Sequence, residues 1–549
     1  MQITPIHKIQ GDGLWSPLAG ETVRVRGVIT GIVRKGFFFQ GLNRSPDPLS
    51  SDGIFVYSPE RKPEIGSYLE LKAEVSDYVK ADNDKPVTQL RIVDGKLLER
   101  RGPIIEPVLI NAENLPTDPE EQAVFLNGLE YMLVELEAGA VFIQPSNPFG
   151  DYVVSFDERE IAGQGRMIID QDNPDRWYPS FRVTDYTNAP RLNVGAKLLS
   201  RVVGPLNYRA SSYQVSVNHE IEVEPEFISV NKTHLVPESG QLTVLTLNGL
   251  NLDTHIESAD KVQNPSQDID DDLGDGRFQL LAQAVVLQAA MPDIVALQEI
   301  QDNDGAEKSD EVDASETYRA LIAAINELST VRYAWVDIAP DNQADGGQPG
   351  GNIRNGYLYN TERVDLIESS VKRLGETAAP YEGSRKPLVA QFRLKETQTR
   401  LAVINVHLAS KRHQHSIFAP ERPGYDAKLS VRVAQAELVR DELRRLRQQG
   451  VDYYVTGDFN DTEYSATLQA LVGEHSVNLV MSLPAGERYD YNHRGKLQVL
   501  MHGIVSQQQM QEGRAEYEIL HGNELMGITP GKLGSKPSDH AYVIARLKL

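Results

Sequence analysis

At 549 residues the chain exceeds what one hydrophobic core organises, so roughly two to four domains are expected; its 40% apolar and 24% charged content is that of an ordinary globular protein. With no cysteine, disulfides and thiolate metal sites are excluded, and any metal must sit on oxygen or imidazole. A net charge of −23 argues against a broad basic surface for polyanions, so nucleic-acid contact would have to be local, with divalent cations offsetting the acidic surface. No apolar run approaches a membrane span, and Met1–Pro5 lacks the basic start and apolar core of a secretory signal.

Residues 1–105 read as all-β. Thr22–Ile29 alternates with period two, Gly36–Gln40 follows after a turn, and Gly53–Tyr57 and Tyr68–Val75 add two strands. Short strands separated by turn residues predict a small barrel of the oligonucleotide/oligosaccharide-binding (OB) type, on which Phe37–Phe39 could stack bases. The alternative is that at least one of these rings is core. Residues 106–235 look like a second, diverged OB-like module. Tyr131–Leu136 and Ala140–Gln144 mimic the first two strands, and Phe181–Val183 and Tyr213–Val223 complete a β-rich unit behind the boundary at Pro116-Thr117-Asp118-Pro119.

From residue 236 to 549 strands alternate with helices, as in one layered α/β domain. Leu242–Leu247 is a strand ending at Asn248, and Phe278, Leu281 and Val285 fall at helical spacing before the break at Pro292-Asp293. Ile294–Leu297 is a buried strand ending at Gln298-Glu299, and Tyr318, Leu321, Ile322, Ile325 and Leu328 mark an amphipathic helix. Asn355–Tyr359 is a strand beside the flexible loop 341–351, and Leu401–Val406 is a strand ending at His407. Leu429 to Leu446 is a long helix stopped at Gly450. Tyr453–Val455 is a buried strand that releases Asp458-Phe459-Asn460 into a loop, Gly457 letting the backbone approach a ligand. The closing strand Ala541–Leu547 follows Ser538-Asp539-His540. Between Asp268 and Gly276 the run DIDDDLGDG invites a calcium-loop reading, but Leu273 stands at the turn-glycine position and Gln279 at the bidentate-acid position; a solvated acidic loop is expected, a structural Ca2+ being the alternative.

Five strand ends thus carry Asn248, Glu299, His407, Asp458 with Asn460, and Asp539 with His540. Each has an ordinary explanation: G-D-x-N is also an Asx turn, and a lone glutamate or histidine is usually a surface residue. Their recurrence at nearly every strand of one domain suits phosphate-ester hydrolysis at a hard divalent cation, Mg2+ or Mn2+. Glu299 and Asp539 are the leading ligands, and Asn248 helps to hold metal or phosphate. Asp458 and His540 share the task of a base, Asn460 contacts the phosphate or positions water, and His407 stabilises developing charge.

The strings LTLNGLNL (245–252), DIVALQEI, INVHLASK, VTGDFND and SDHA resemble the endonuclease/exonuclease/phosphatase superfamily, which includes pancreatic-type deoxyribonuclease and the apurinic endonucleases. Thr4–His7, Ile9–Gly11 and Ser16–Gly20 resemble the mature start of bacterial extracellular nucleases whose catalytic domain follows OB-type modules. The resemblance implies a four-layer α/β sandwich of the DNase I type, Mg- or Mn-dependent cleavage of DNA, and secretion to an extracellular or periplasmic location. RNA is the alternative polymer, a monomer is expected, no membrane association is expected from the apolar runs, and nothing in the sequence implies a protein partner. The resemblance matches the seven site residues above to family positions and places Arg354 near substrate. One position departs from it. Where the family carries an aspartate that orients the terminal histidine, the string here is Leu500-Met501-His502. Either Asp490 substitutes, or the protein is slow or inactive and binds polyanions without chemistry. A phosphatase or phosphodiesterase for small or lipid substrates is the other enzymatic reading.

Overall fold

The computed structural model describes residues 2–60, 63–81, 84–157, 176–411, 416–421, 426–531 and 536–549. They divide into two compact units, the first built mainly from Met1–Glu226 and the second from most of the chain beyond.

In the first unit β1 (Thr22–Val33), β2 (Gly36–Gln40), β3 (Gly53–Tyr57), β4 (Tyr68–Tyr78) and β5 (Val87–Glu99) close into a barrel in the order β1-β2-β3-β5-β4. All neighbours are antiparallel except β3 and β5. The period-two pattern of β1 turns Val23, Val25 and Ile29 inward onto Phe37, Phe39, Ile54, Val56 and Leu90. Phe38 leaves the opposite face of β2 and packs on Phe55 and Tyr131, with centroids 5.7 and 5.8 Å apart. All three phenylalanines are fully buried, so the base-stacking platform expected at Phe37–Phe39 does not exist: both faces of β2 are covered by the unit's own side chains.

The second β-rich stretch shares the barrel's strand order, but among the described residues it forms a longer sheet that is not closed. Among the described residues β6 (Val108–Ile110), β7 (Leu133–Leu136), β8 (Val141–Phe142), β9 (Asp151–Ser155), β10 (Ser180–Val183), β11 (Lys197–Leu198), β12 (Val202–Arg209), β13 (Ser212–Val217) and β14 (Val223–Glu224) form one sheet, ordered β14-β11-β8-β9-β10-β13-β12-β7-β6. It contains two parallel pairs, β6 with β7 and β10 with β13. The run β9-β10-β13-β12-β7 follows β2-β3-β5-β4-β1 of the barrel, with β10 parallel to β13 as β3 is to β5, so the likeness of Tyr131–Leu136 to the first barrel strand extends to its place in the sheet.

Among the described residues the second unit has two six-stranded sheets. One is ordered β17-β18-β16-β15-β28-β27, from β15 (Gln241–Leu252), β16 (Ile294–Ile300), β17 (Tyr333–Asp337), β18 (Arg354–Asn360), β27 (Ala515–Leu520) and β28 (Tyr542–Lys548). The other is ordered β19-β20-β21-β22-β26-β23, from β19 (Val364–Arg373), β20 (Leu388–Leu394), β21 (Arg400–His407), β22 (Asp452–Asp458), β23 (Ser476–Asn478) and β26 (Met501–Ser506). A hairpin of β24 (Tyr491–His493) and β25 (Lys496–Gln498) stands outside both. The sheets pack face to face over a core that takes Val244, Ala296 and Val543 from one and Ala390, Val403 and Tyr454 from the other. The outer face of the first is covered by the helices Arg277–Gln283 and Ser315–Leu328, and that of the second by Leu429–Gln448 and Ala466–Val472. The order is helix, sheet, sheet, helix: a four-layer α/β sandwich, in which near-continuous apolar runs such as Ile294–Leu297 are covered on both faces.

Candidate active site

The site grows out of the parallel pair β21–β22, whose register sets His407 directly beside Asp458. Both side chains leave the same face, and His407 Nε2 lies 3.6 Å from Asp458 Oδ2. Gly457 makes this pairing possible, though not by approaching a ligand as expected. A Cβ there would stand 2.0 Å from the Val406 carbonyl oxygen, and φ is +129°, so the glycine serves contact between two strands. Asp458 is the last strand residue rather than the first of a loop. It also makes the Asx turn weighed above: its Oδ1 accepts from the Asn460 N–H at 2.8 Å. Asn460, in left-handed backbone at φ +51°, donates its amide to Leu408 O at 3.1 Å.

One or two residues earlier on each central strand, polar side chains tie the sheets together beneath the site. Thr246 and Thr456 hydroxyls meet at 2.5 Å, and Gln298 donates to Asn405 Oδ1 at 2.6 Å. All four are fully buried, and each of these bonds satisfies polar groups that would be costly if left unpaired. A regular strand would send Gln298 and Glu299 to opposite faces. Instead the register of β16 slips between Leu297 and Ile300, and Glu299 adopts φ +55°. Such a conformation costs of order 1–3 kcal/mol in a non-glycine residue and persists where the surroundings enforce it. Its carboxylate is thereby brought to 3.7 Å from His407 Nε2 and accepts from Asn248 Nδ2 at 3.1 Å. The Asn248 Oδ1 accepts from the Leu250 N–H at 2.8 Å, so this asparagine orients the glutamate.

His540, just ahead of β28, completes the group from the other side, its Nε2 3.8 Å from Asp458 Oδ2. Its Nδ1 is 3.1 Å from Asp490 Oδ2, and the Tyr491 ring stacks on the imidazole at 4.9 Å and 30°. Met501 pairs across the strands with Asp458 and is fully buried in the core between the sheets. The carboxylate beside His540 is therefore that of Asp490, not one carried at position 501. His502, next in the string, is a core residue between Asn478 and the Asp461 carbonyl, and burial lowers its pKa to about 4.

Comparisons with known proteins add little at the level of sequence. A family model described as a domain of unknown function, DUF8508, matches residues 103–226. No curated protein matches. Similar solved structures include D. rerio TDP2 complexed with single-strand DNA product, at 14% identity and TM-score 0.37 over 57% of this chain and all of that one. An endonuclease/exonuclease/phosphatase family protein from Bacteroides thetaiotaomicron shares 15% identity at TM-score 0.35, covering 56% of this chain and 97% of its own. The human Nocturnin catalytic domain with bound sulfate shares 13% at TM-score 0.36, covering 58% and 96%.

The titration of the group follows from its enclosure. Burial pushes Asp458 up to about 6, with Asp490 and Glu299 adding and His540 opposing. Burial also raises Glu299, with the charge of Asp539 adding to it. For His540 burial alone acts downward, but the hydrogen bond to Asp490 and the charges of Asp539 and Asp458 override it and hold the imidazole at about 10. The Asp490 bond and these charges favour the imidazolium form of His540, which suits holding developing negative charge more than sharing the base's task with Asp458. A hard divalent cation fits this donor set: Glu299, His407 and Asp458 each offer an atom within 4.8 Å of the others, and the half-buried Asp539 adds a carboxylate whose charge bears on Glu299.

Two expectations fail here. Arg354 does not join the group: it is buried, donates to the Asn352 and Val312 carbonyls, and pairs with Asp337 at 3.3 Å. Contact with substrate would require breaking those bonds. The run 268–276 is not solvated throughout: Leu273, Gly274 and Asp275 are exposed, but Asp268 and Asp272 are buried, Asp272 pairs with the buried Arg277, and Arg277 holds the Leu250 carbonyl at 2.8 Å. Asp253, Asp270 and Asp272 bring oxygens within 4.8 Å of one another. Sequence reasoning also missed Arg385, which donates to Leu408 O at 3.0 Å and whose charge bears on Glu299. The basic pair Arg385-Lys386 immediately before β20 was the available signal.

Proposed function

We propose that the second unit is a phosphodiester hydrolase dependent on Mg2+ or Mn2+, acting on DNA. One observation carries this reading: acids and imidazoles alternate across the site, from Glu299 to His407 (3.7 Å), to Asp458 (3.6 Å), to His540 (3.8 Å), to Asp490 (3.1 Å). Such a row suits moving one proton from water to a leaving oxygen while anionic charge builds between the ends.

Glu299 and Asp539 would hold the cation, which when bound polarises a phosphoryl oxygen and offsets developing negative charge. Asp458, ionised above about pH 6, takes the proton of the attacking water at Oδ2. Asn460 holds its position through Leu408 O and offers its amide to a phosphate oxygen. His540, kept protonated and oriented by Asp490, stabilises the charge on the phosphoryl group; as the water oxygen bonds to phosphorus the ester P–O bond breaks, and the leaving oxygen takes its proton from His407, which regains one from Asp458 3.6 Å away. The OB-type reading of the first barrel belongs to the same proposal, supported by its strand order and the parallel β3–β5 pair. So does a location outside the cytoplasm, with which the absence of cysteine is compatible.

The test is plasmid, linear DNA and RNA incubated with the full chain and Mg2+, Mn2+ or chelator. Chelator-sensitive loss of DNA is expected. Release of phosphate from small esters with DNA left intact would select a phosphatase, and binding without turnover would select the non-catalytic reading.

A further inference from the structure

His540 lies just outside the sheet beside which it works. The antiparallel ladder between β27 and β28 ends at the pair Leu520–Tyr542, so His540 falls beyond the last rung. On the facing strand the chain turns away at Gly522, φ +151°, where a Cβ would stand 2.6 Å from the Val230 Cα, and enters the short turn Asn523–Leu525. From this turn a side chain reaches back where a ladder bond would have been: Asn523 Nδ2 donates to the His540 carbonyl oxygen at 3.1 Å. Asn523 is fully buried, and its Oδ1 has no donor among the described residues. A buried amide with one end unsatisfied is costly, and a side chain kept only for packing would avoid that cost.

A second grip acts through Asp490. His521 lies flat against Tyr489, with centroids 3.9 Å apart at 20°, and Tyr489 immediately precedes the acid that holds His540 Nδ1. The His521 ring is itself fixed. Its Nδ1 is 2.9 Å from Glu524 Oε1, the other Glu524 oxygen accepts the Gly522 N–H at 2.9 Å, and Glu487 Oε2 stands 3.2 Å from Nε2. The Asp490 carbonyl in turn accepts the Ala541 N–H at 2.7 Å. One turn, 521–524, thereby braces both the main chain of His540 and the segment that carries its acid.

We propose that Asn523 and His521 are positioning residues for His540, fixing its imidazole against Asp458 and the phosphoryl group; the inference rests on the hydrolase reading above. Asn523 acts on the His540 main chain and His521 acts on Tyr489, so the effect of both passes through the His540–Asp490 pair. A reacting group displaced by about 1 Å loses on the order of 100-fold in rate. Ground-state binding of the polymer by the rest of the site does not depend on that placement, so the loss belongs in kcat rather than KM.

The experiment measures kcat and KM on a DNA duplex with Mn2+ for Asn523→Leu and His521→Phe, each in the full-length parent chain and in a His540→Ala background. Leucine matches the amide in size and removes the unsatisfied oxygen together with the bond, so the melting temperature should change little. Phenylalanine keeps a ring on Tyr489 and removes both nitrogens. In the parent, Asn523→Leu should lower kcat about 10- to 100-fold and His521→Phe about 3- to 10-fold, with KM for DNA within about twofold. With His540 already absent, neither change should cost more than about twofold, because a residue that acts through another has no effect once that other is gone. An unchanged kcat, a raised KM at constant kcat, or equal losses in both backgrounds overturns the proposal. Should Asn523→Leu not fold, His521→Phe decides by the same criteria. If the parent chain cleaves neither DNA nor bis(4-nitrophenyl) phosphate, the hydrolase reading fails by itself. The imidazole signals of 15N-histidine-labelled chain then still decide the positioning: the resonance that disappears in His540→Ala should shift in Asn523→Leu, and an unmoved one overturns it.

Discussion

Asp490 Oδ2 lies 3.1 Å from His540 Nδ1, and the same carboxylate accepts the backbone N–H groups of Leu500 and Met501 at 2.5 and 3.0 Å. The acid is thus fixed by the strand that carries Met501, and it does from residue 490 what an acid at 501 would do. Asp490→Asn preserves size but removes the anion that orients and charges the imidazole. The expected outcome is a fall in kcat of about 10²- to 10⁴-fold with KM for DNA nearly unchanged, measured by initial rates. Met501→Asp in the parent chain should not raise kcat, because His540 already has its acid and a second buried carboxylate would crowd Asp458 and Asp490. A faster Met501→Asp enzyme would show that Asp490 is a poor substitute.

The pH profile follows from two groups of opposite role. Asp458 has to be ionised to accept a proton, so kcat/KM should rise with pH as it titrates near 6. His540 has to be protonated, so activity should fall as pH climbs through about 10. A bound divalent cation favours anionic Asp458 and neutral His540 and moves both limbs to lower pH. Rates from pH 5 to 10.5 at saturating metal should give a bell whose limbs lie at or below these values. An acid limb that survives in Asp458→Asn would assign it to another group.

The polar strand ends were legible because each sits beside an apolar run that had to be buried: Leu401–Val406 ahead of His407, Tyr453–Val455 ahead of Asp458. Their convergence was not written in local pattern; it comes from the His407–Asp458 register and the left-handed turn at Glu299. Arg354 illustrates the limit, since a strand position does not say that Asp337 on the neighbouring strand will claim the guanidinium. In the barrel, β5 was passed over because Arg91 to Lys96 are exposed and show no alternation. The second module's likeness to the first was legible in Tyr131–Leu136 and Phe181–Val183, while its parallel β10–β13 pair, the counterpart of β3–β5, is a non-local choice with no periodic signature.

Gly457→Ala tests how the site is held. The new methyl would meet the Val406 carbonyl oxygen at 2.0 Å and force an L-residue to φ +129°, and neither backbone can yield without breaking the His407–Asp458 pairing. The expected loss is at least about 2 kcal/mol in the stability of this unit, with activity lost in parallel. Thermal unfolding followed by circular dichroism checks the first, and DNA cleavage the second. A variant of unchanged melting temperature would mean that the strands separate more easily than the register implies.

The acidic group at Asp253, Asp270 and Asp272 makes metal-free stability depend on pH in a stated direction. Burial first, then mutual repulsion with Glu257 and Asp272, pushes Asp253 up to about 9, and Asp270 rises to about 7 for the same reasons. Both folded values lie above the unfolded one near 4, so the folded chain binds more protons between them and stability falls as pH rises. For Asp270 the loss runs from about pH 4 to 7, and for Asp253 from about 4 to 9, beyond which it levels off. Asp253→Asn removes the charge and its repulsion while keeping the Oδ1 acceptor that holds the His255 N–H at 2.7 Å. In chelator, the parent chain should therefore melt at lower temperature at pH 8.5 than at pH 6, and Asp253→Asn should narrow that gap. An equal or wider gap in the variant would place the pH dependence elsewhere in the molecule.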